Sequence, residues 1–251
     1  MIRLKNIDEI NKIRDASKLL ARTYTALLSI IDEGITTGEL DAYTYDFIIK
    51  HGGKPAFLGY LKYPATLCSS INQEVIHGIP GNRKLKNGDI LSLDLGVALK
   101  GFISDAAVTI PIGPITDQAK QLLDVTKQCL YLGIEQAIAG NRVRDISRAI
   151  FNNATKYKYG VVHQFCGHGV GNKVHEEPQI PNYISSGPSP RLKPGMVLAI
   201  EPMINEGVSD VVINKDGWTV ETADKKLSAH FEHTIAIFQD HTEILTDMDN
   251  N

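Results

Sequence analysis

Residues Gly88–Thr109 read GDILSLDLGVALKGFISDAAVT. Ile90, Leu91, Leu93, Leu95 and Val97 form an apolar run that predicts a buried strand. Leu99-Lys100-Gly101 predicts a turn, and Phe102 to Ile110 the returning strand. Each strand carries one carboxylate, Asp94 and Asp105. If Lys100-Gly101 is the turn, residues whose numbers sum to 201 face each other. Asp94 then opposes Ala107, with Asp105 one diagonal step away on the same face. A turn one residue earlier gives a sum of 199 and pairs Asp94 with Asp105 directly. Both registers bring the carboxylates within reach of a common point. Two like charges in an apolar hairpin are costly unless something positive neutralises them. Taken alone, the pair fits either hairpin hydrogen bonding at a sheet rim or a divalent cation site.

Outward from the hairpin, the N-terminal side predicts two helices. Asn6 or Asp8 opens the first, with Ile10, Ile13, Ser17, Leu20, Tyr24, Leu27 and Leu28 at three- and four-residue steps and Gly34 as the stop. Thr37 caps the second, whose stripe is Leu40, Tyr43, Phe47 and Ile48 and which ends at Gly52-Gly53. An aromatic loop (Phe57, Tyr60, Tyr63) and strand-like segments around Thr66–Ser70 and Glu74–His77 follow. C-terminal to the hairpin, Thr116 caps a third helix to about Ala139, and a fourth runs from about Val143 to Tyr157. From Gly160 onward the pattern is strands and loops rich in Gly, Pro, His and acidic residues.

The second half echoes the first. LKNGDILSLDL (Leu85–Leu95) aligns with LKPGMVLAIEP (Leu192–Pro202), so Glu201 corresponds to Asp94 at an offset of 107, 201 minus 94. The same offset carries the first two helices, near 8–31 and 37–51, onto 115–138 and 144–158, the third and fourth. The expectation is an α+β chain: one domain over residues 1–251, built from two related halves, about 8–110 and 115–240. Its natural packing is a curved, mainly antiparallel sheet with the helices on its outer face and a site on the inner one.

Composition narrows the function classes. The 251 residues are 43% hydrophobic, enough for a sizeable core, and the net charge of −3 comes without a polybasic block, so nucleic acid is not the expected primary partner. Cys68, Cys129 and Cys166 form no CxxC pair, which suggests free thiols in a reducing compartment. The first residues, MIRLKNIDEINKIRDAS, lack the apolar core of a secretory signal, and no apolar run approaches the roughly 18–20 residues that span a bilayer. A cytoplasmic protein without a membrane partner is expected.

Further ligand-type residues lie on strand-like runs. Glu201 ends the run Met196–Ile200, Glu232 sits in HFEHTIAIF, and His168 lies between glycines in CGHGVG, where backbone can approach a metal or substrate closely. His77 is in VIHGIP and His175 in HEEPQIP. Four carboxylates balance two divalent cations, and oxygen ligands with one imidazole suit Mn, Fe, Co or Zn. Two such ions can activate a bridging water and stabilise a tetrahedral intermediate.

With these residues assembled, the chain resembles the methionine aminopeptidases, in their short bacterial type I form. The resemblance covers nearly the whole chain and rests on NQEVIHGIP, LSLDLGV, GFISDAAVT, CGHGVG, HEEPQI, LKPGMVLAIEP, KDGWTVET and FEHT in order. Glu201 and Glu232 are 31 positions apart (232 minus 201), without the long insertion of the type II form. The resemblance implies the pita-bread fold and removal of the initiator Met from nascent chains whose second residue is small. It implies that Asp94 chelates one metal, His168 and Glu201 hold the other, and Asp105 and Glu232 bridge them. It implies that His77 and His175 contact substrate and the tetrahedral intermediate, that Glu201 also shuttles a proton, and that Tyr60, Tyr63, Cys68 and Trp218 line the Met pocket. A monomer is implied, with nascent N-termini as partners and the ribosome as a candidate one. Phe57 and Val174 stand where a small sulfur residue and a Phe are usual, so a reshaped pocket is expected, and His230 replaces the usual Gln two positions before Glu232. Two rivals are a proline-specific aminopeptidase or prolidase, which usually carries an additional N-terminal domain, and a peptide-binding module that would have lost its metal ligands.

Overall fold

A computed structural model describes residues 1–187 and 189–247, and the last four positions of the expected 1–251 domain lie outside these. In chain order the elements are α1 (Ile7–Leu28), α2 (Thr37–Lys50), β1 (Lys54–Pro55), a 3-10 turn (Tyr60–Lys62), β2 (Leu67–Ile71), β3 (Glu74–Ile76), β4 (Ile90–Leu99) and β5 (Phe102–Pro111). Then come α3 (Asp117–Glu135), α4 (Val143–Lys156), β6 (Gly160–Val161), β7 (Gly167–Gly169), β8 (Glu176–Ile180), β9 (Val197–Ile200) and β10 (Met203–Asn205). The chain continues through β11 (Val211–Ile213), β12 (Val220–Thr222), β13 (Ser228–His230), β14 (Glu232–Ile237) and β15 (Thr242–Ile244).

The β4–β5 hairpin takes the register with sum 201: Asp94 faces Ala107 and Gly96 faces Asp105. Lys100 (φ 51°) and Gly101 (φ 80°) make the turn with both residues left-handed, the twist a two-residue hairpin needs. The hairpin is the middle of a nine-stranded antiparallel sheet in the order β1-β4-β5-β14-β9-β7-β8, with β2 also on β4 and β15 on β14. Two three-stranded sheets, β13-β10-β6 and β11-β12-β3, flank it.

Alternation along the strands sorts the two faces. Leu91, Leu93, Leu95 and Val97 of β4 pack with Leu20, Tyr24 and Leu27 of α1 and Leu40 and Ile48 of α2. Leu198 and Ile200 of β9 and Ile235 of β14 pack with Leu122, Cys129 and Leu130 of α3 and Ile146 and Ile150 of α4. The opposite parity, Asp94, Asp105, Glu232 and His168, faces away from the helices, because Glu232 pairs with Ala107 and His168 with Ala199. Truncating a fully buried leucine such as Leu93 to Ala costs about 2–5 kcal/mol, so the helix layer fixes the strands that carry the acids. Tyr24 tightens that link: its hydroxyl lies 2.6 Å from Ala106 O and 3.0 Å from Leu93 O. This curled antiparallel sheet with four helices on its outer side is the pita-bread architecture.

Several boundaries differ from the sequence reading. Asn6 caps α1 in a reciprocal box with Glu9, but the helix ends at Leu28 rather than Gly34. Gly34 instead takes φ 90° in the following turn and donates its N–H to Leu85 O at 2.9 Å. The cap of α2 is Thr36, not Thr37, because Thr36 has the extended backbone and exchanges bonds with Glu39. Helix α3 stops at Glu135, four residues before the expected Ala139. Thr116 does cap α3, accepting from Ala119 N–H.

Candidate metal centre and cleft

The inner face gathers the acids around one cavity of about 120 Å³. At its floor lie Asp94, Asp105, His168, Glu201 and Glu232; its walls include Tyr60, Tyr63, Cys68, His77, His175 and Trp218. All eleven residues to which the resemblance gives a metal-binding, catalytic or pocket role therefore border one space. Phe57, Leu61 and Val174 border it too.

The floor is short of hydrogen bonds. Asp94 Oδ1, Asp105 Oδ1 and Glu232 Oε1 are buried and have no partner among the described residues. Orphaned buried acceptors of this kind are rare in folded proteins and call for a ligand. One oxygen each from Asp105 and Glu232 and one nitrogen of His168 lie within 4.8 Å of one another, close enough to share an ion. Asp94 and Glu201 stand beside this trio rather than in it. Burial lifts the Asp94 carboxyl to about 7. Burial, then the neighbouring acids, holds Asp105, Glu201 and Glu232 well above the ordinary range. Acids buried this close resist ionising together unless positive charge sits among them, so the donor set fits divalent metal.

His168 is prepared as a ligand. It sits in β7 rather than in a loop, clamped against β9. Its Nδ1 lies 3.0 Å from Gly169 O, and a carbonyl only accepts, so Nδ1 carries the hydrogen and Nε2 offers its lone pair. That Nε2 is 3.3 Å from Glu201 Oε1. Burial, then His175, pushes the His168 imidazole down to about 3, which keeps it neutral.

The two wall histidines are held differently. His77 has φ 59°, an uncommon backbone for a non-glycine residue, and its ring meets Trp218 (centroids 6.1 Å) and Phe165 (5.6 Å) edge-on. The next residue must be glycine, because a Cβ at Gly78 would lie 2.3 Å from Ser69 O. Burial, then His175, lowers His77 to about 4. His175 is exposed at the mouth, with Nδ1 2.9 Å from the Tyr60 hydroxyl and its ring 4.3 Å from that of His168. Tyr63 donates to Gly78 O (3.0 Å) or Leu67 O (3.1 Å) and packs edge-on to Trp218, 5.1 Å between centroids. Cys68 pairs with Asp94 across β2–β4; burial, then Asp94, pushes its thiol up, so it stays a neutral wall atom. Phe57 and Val174 share an apolar cluster with Tyr63 and Cys68.

The match to the description "Metallopeptidase family M24" spans residues 11–239. A methionine aminopeptidase of Treponema pallidum is 49% identical over 98% of this chain and 97% of its own length. Methionine aminopeptidase 1 of Bacillus subtilis is 47% identical over 98% and 99%. The chain belongs to the methionine aminopeptidases of family M24. A crystal structure of methionine aminopeptidase from Rickettsia prowazekii superposes with a TM-score of 0.96 at 40% identity, covering 98% of this chain and all of that one. The protein is thus a metal-dependent aminopeptidase, a hydrolase of the type I group, and Asp105, His168 and Glu232 are a candidate metal-ligand group in it. No described helix is long and apolar enough to cross a membrane.

Two features of the site escaped the sequence. Leu61 reaches the cavity only because its own φ is 48° and that of Lys62 is 74°. A leucine carries no signal for that backbone. Gly96 was legible only as a strand glycine. A Cβ there would lie 2.8 Å from the Phe57 ring, so Gly96 is what lets Phe57 occupy the wall.

Proposed function

We propose that the protein releases the N-terminal Met of nascent polypeptides whose second residue is small, using two divalent ions. Asp94 would chelate one, His168 and Glu201 the other, and Asp105 and Glu232 would bridge them. Co, Mn, Fe and Zn all suit this donor set. When bound, such ions polarise a carbonyl and make water a nucleophile near neutral pH. The observation that carries the reading is the meeting, in one cavity of about 120 Å³, of three orphaned buried carboxylate oxygens and an apolar wall sized for one side chain.

The remaining chemistry falls to the chain's own groups. Tyr63, Cys68, Trp218 and Phe57 surround an unbranched thioether and exclude water from it. His175, steadied by the Tyr60 hydroxyl, donates to the scissile carbonyl oxygen as that oxygen gains charge. His77, fixed by its strained backbone and by Trp218, faces the amide nitrogen of the second residue. Glu201 takes the proton of the attacking water and passes it to the leaving amine as the C–N bond breaks. A cavity this small leaves little room beside His77 for a large second side chain. The same reading takes the protein as a cytoplasmic monomer whose single catalytic domain consists of two related halves, about 8–110 and 115–240, and which meets nascent chains at the ribosome.

A peptide panel tests this. Mn-loaded protein should release Met from Met-Ala-Ser at least tenfold faster than from Met-Leu-Ser and leave Ala-Pro-Ser intact. Cleavage of Ala-Pro-Ser in place of Met-Ala-Ser would transfer the protein to proline-specific chemistry.

A further inference from the structure

His230 ends β13, directly behind the acids, and is 1% exposed. Its backbone is fixed twice: its N–H donates to Thr109 Oγ1 at 2.9 Å, and the Thr109 hydroxyl lies 2.8 Å from its carbonyl oxygen. The ring is less satisfied. Neither Nδ1 nor Nε2 has a hydrogen-bond partner among the described residues, although both atoms are buried. A buried imidazole always carries at least one N–H, so such a ring needs an acceptor.

The nearest carboxylate is that of Glu201. Its Oε1 is 3.3 Å from His168 Nε2, and its Oε2 is 3.8 Å from His230 Nε2. Glu201 therefore stands between two imidazoles, one per oxygen. The 3.8 Å gap exceeds a direct hydrogen bond, and a small side-chain shift closes it. His230 does not border the cavity, and the trio of ligand atoms within 4.8 Å of one another is Asp105, His168 and Glu232. It is thus placed to act through Glu201 rather than on metal or peptide.

We propose that His230 is a positioning residue that donates Nε2–H to Glu201 Oε2 and so fixes the carboxylate that holds one ion and carries the proton. The inference rests on the role given to Glu201 above. With Oε2 held from behind, Oε1 stays aimed into the site beside His168, and Glu201 cannot rotate to present the wrong oxygen. Partners that orient a ligating side chain in this way change metal affinity about 10–100-fold when removed.

The test compares His230→Leu, which fills the space without a donor, with His230→Gln, whose amide keeps one. Metal-stripped proteins are titrated with Mn(II) by calorimetry, and kcat and KM are measured on Met-Ala-Ser. The expected result is weaker Mn(II) binding by about 10–100-fold for His230→Leu, a lower kcat at near-constant KM, and recovery of most of both by His230→Gln. Should His230→Leu not fold, His230→Asn, whose shorter amide cannot span the gap, takes its place against His230→Gln. Wild-type Mn(II) affinity and kcat in the donor-free variant would overturn the proposal. So would equal loss in the Leu and Gln variants with a matching fall in thermal midpoint, which indicates packing alone. Wild-type protein and Glu201→Gln run alongside. If Glu201→Gln still releases Met, the role of Glu201 itself fails; if it is inert while His230→Leu is normal, only the His230 inference fails.

Discussion

Lys5→Met should destabilise the protein and slow it together, because Lys5 anchors the loop that carries His175. Lys5 is 4% exposed, its backbone N–H donates to Gly195 O at 2.7 Å, and its Nζ donates to Glu176 Oε2 at 2.9 Å. The other oxygen of Glu176 accepts from Asn172 N–H (2.9 Å) and Lys173 N–H (3.4 Å), closing the turn just before Val174 and His175. Breaking a buried ion pair from one side costs about 3–5 kcal/mol. Glu176 keeps two backbone donors and some water contact, so the lower end, about 3 kcal/mol, applies. For a chain of this size that is a fall in Tm of about 6–12 °C. Burial raises the Glu176 carboxyl, but the Lys5 ammonium and the backbone N–H groups more than offset it, and the net shift is downward from 4.5. A depressed carboxyl stabilises above its unfolded value and loses that contribution as pH falls through the folded value. The gap between wild type and variant should therefore be full at pH 6–8 and shrink below about pH 4.5. Calorimetry across that range, with kcat/KM on Met-Ala-Ser at pH 7.5, reads all of this. A Tm within 2 °C of wild type at pH 7, or a gap that does not change with acid, would refute the reasoning.

Three other perturbations have defined outcomes. Tyr24→Phe removes the hydroxyl that donates to Ala106 O or Leu93 O of the β4–β5 hairpin and should cost about 1–3 kcal/mol in urea unfolding. Phe57→Ala should cost about 3–5 kcal/mol and, by enlarging the cavity, narrow the preference for Met over bulkier N-terminal residues in a peptide panel. Chelation should lower Tm, and Mn(II) at a hundred times the Kd of a site should restore about 2.7 kcal/mol, or about 5–11 °C, for each ion bound, by scanning fluorimetry.

Much of this was legible because periodicity and chemistry coincide in the strands. The alternation in LSLDLGV puts leucines on the helix side and Asp94 on the other, and it survives any register that keeps the turn near Lys100. The choice between sums 201 and 199 depends on whether Gly101 or Leu99 joins Lys100 in the left-handed region, and Gly101 does, at φ 80°. Helix starts were readable from side-chain caps, to within one residue at Thr36. The ends of α1 and α3 were not, because Leu28 and Glu135 give way to tight turns (Ile30 N–H to Leu27 O, Ala137 N–H to Ile134 O) rather than stopping at a glycine. The acids stood out as costly residues in apolar runs, and His168 as an imidazole between two glycines. Leu61 and Gly96 did not, because their contribution to the cavity lies in backbone angles and in a missing Cβ.

Stoichiometric metal titration of stripped protein, read as Met released from Met-Ala-Ser, tests the central claim most directly. The stripped protein should be inert, activity should rise with Mn(II) and level at two ions per chain, and Asp105→Asn should stay inactive at every metal concentration. Met release by the stripped protein, or a wild-type rate from loaded Asp105→Asn, would contradict the assignment of these buried acids as the metal centre.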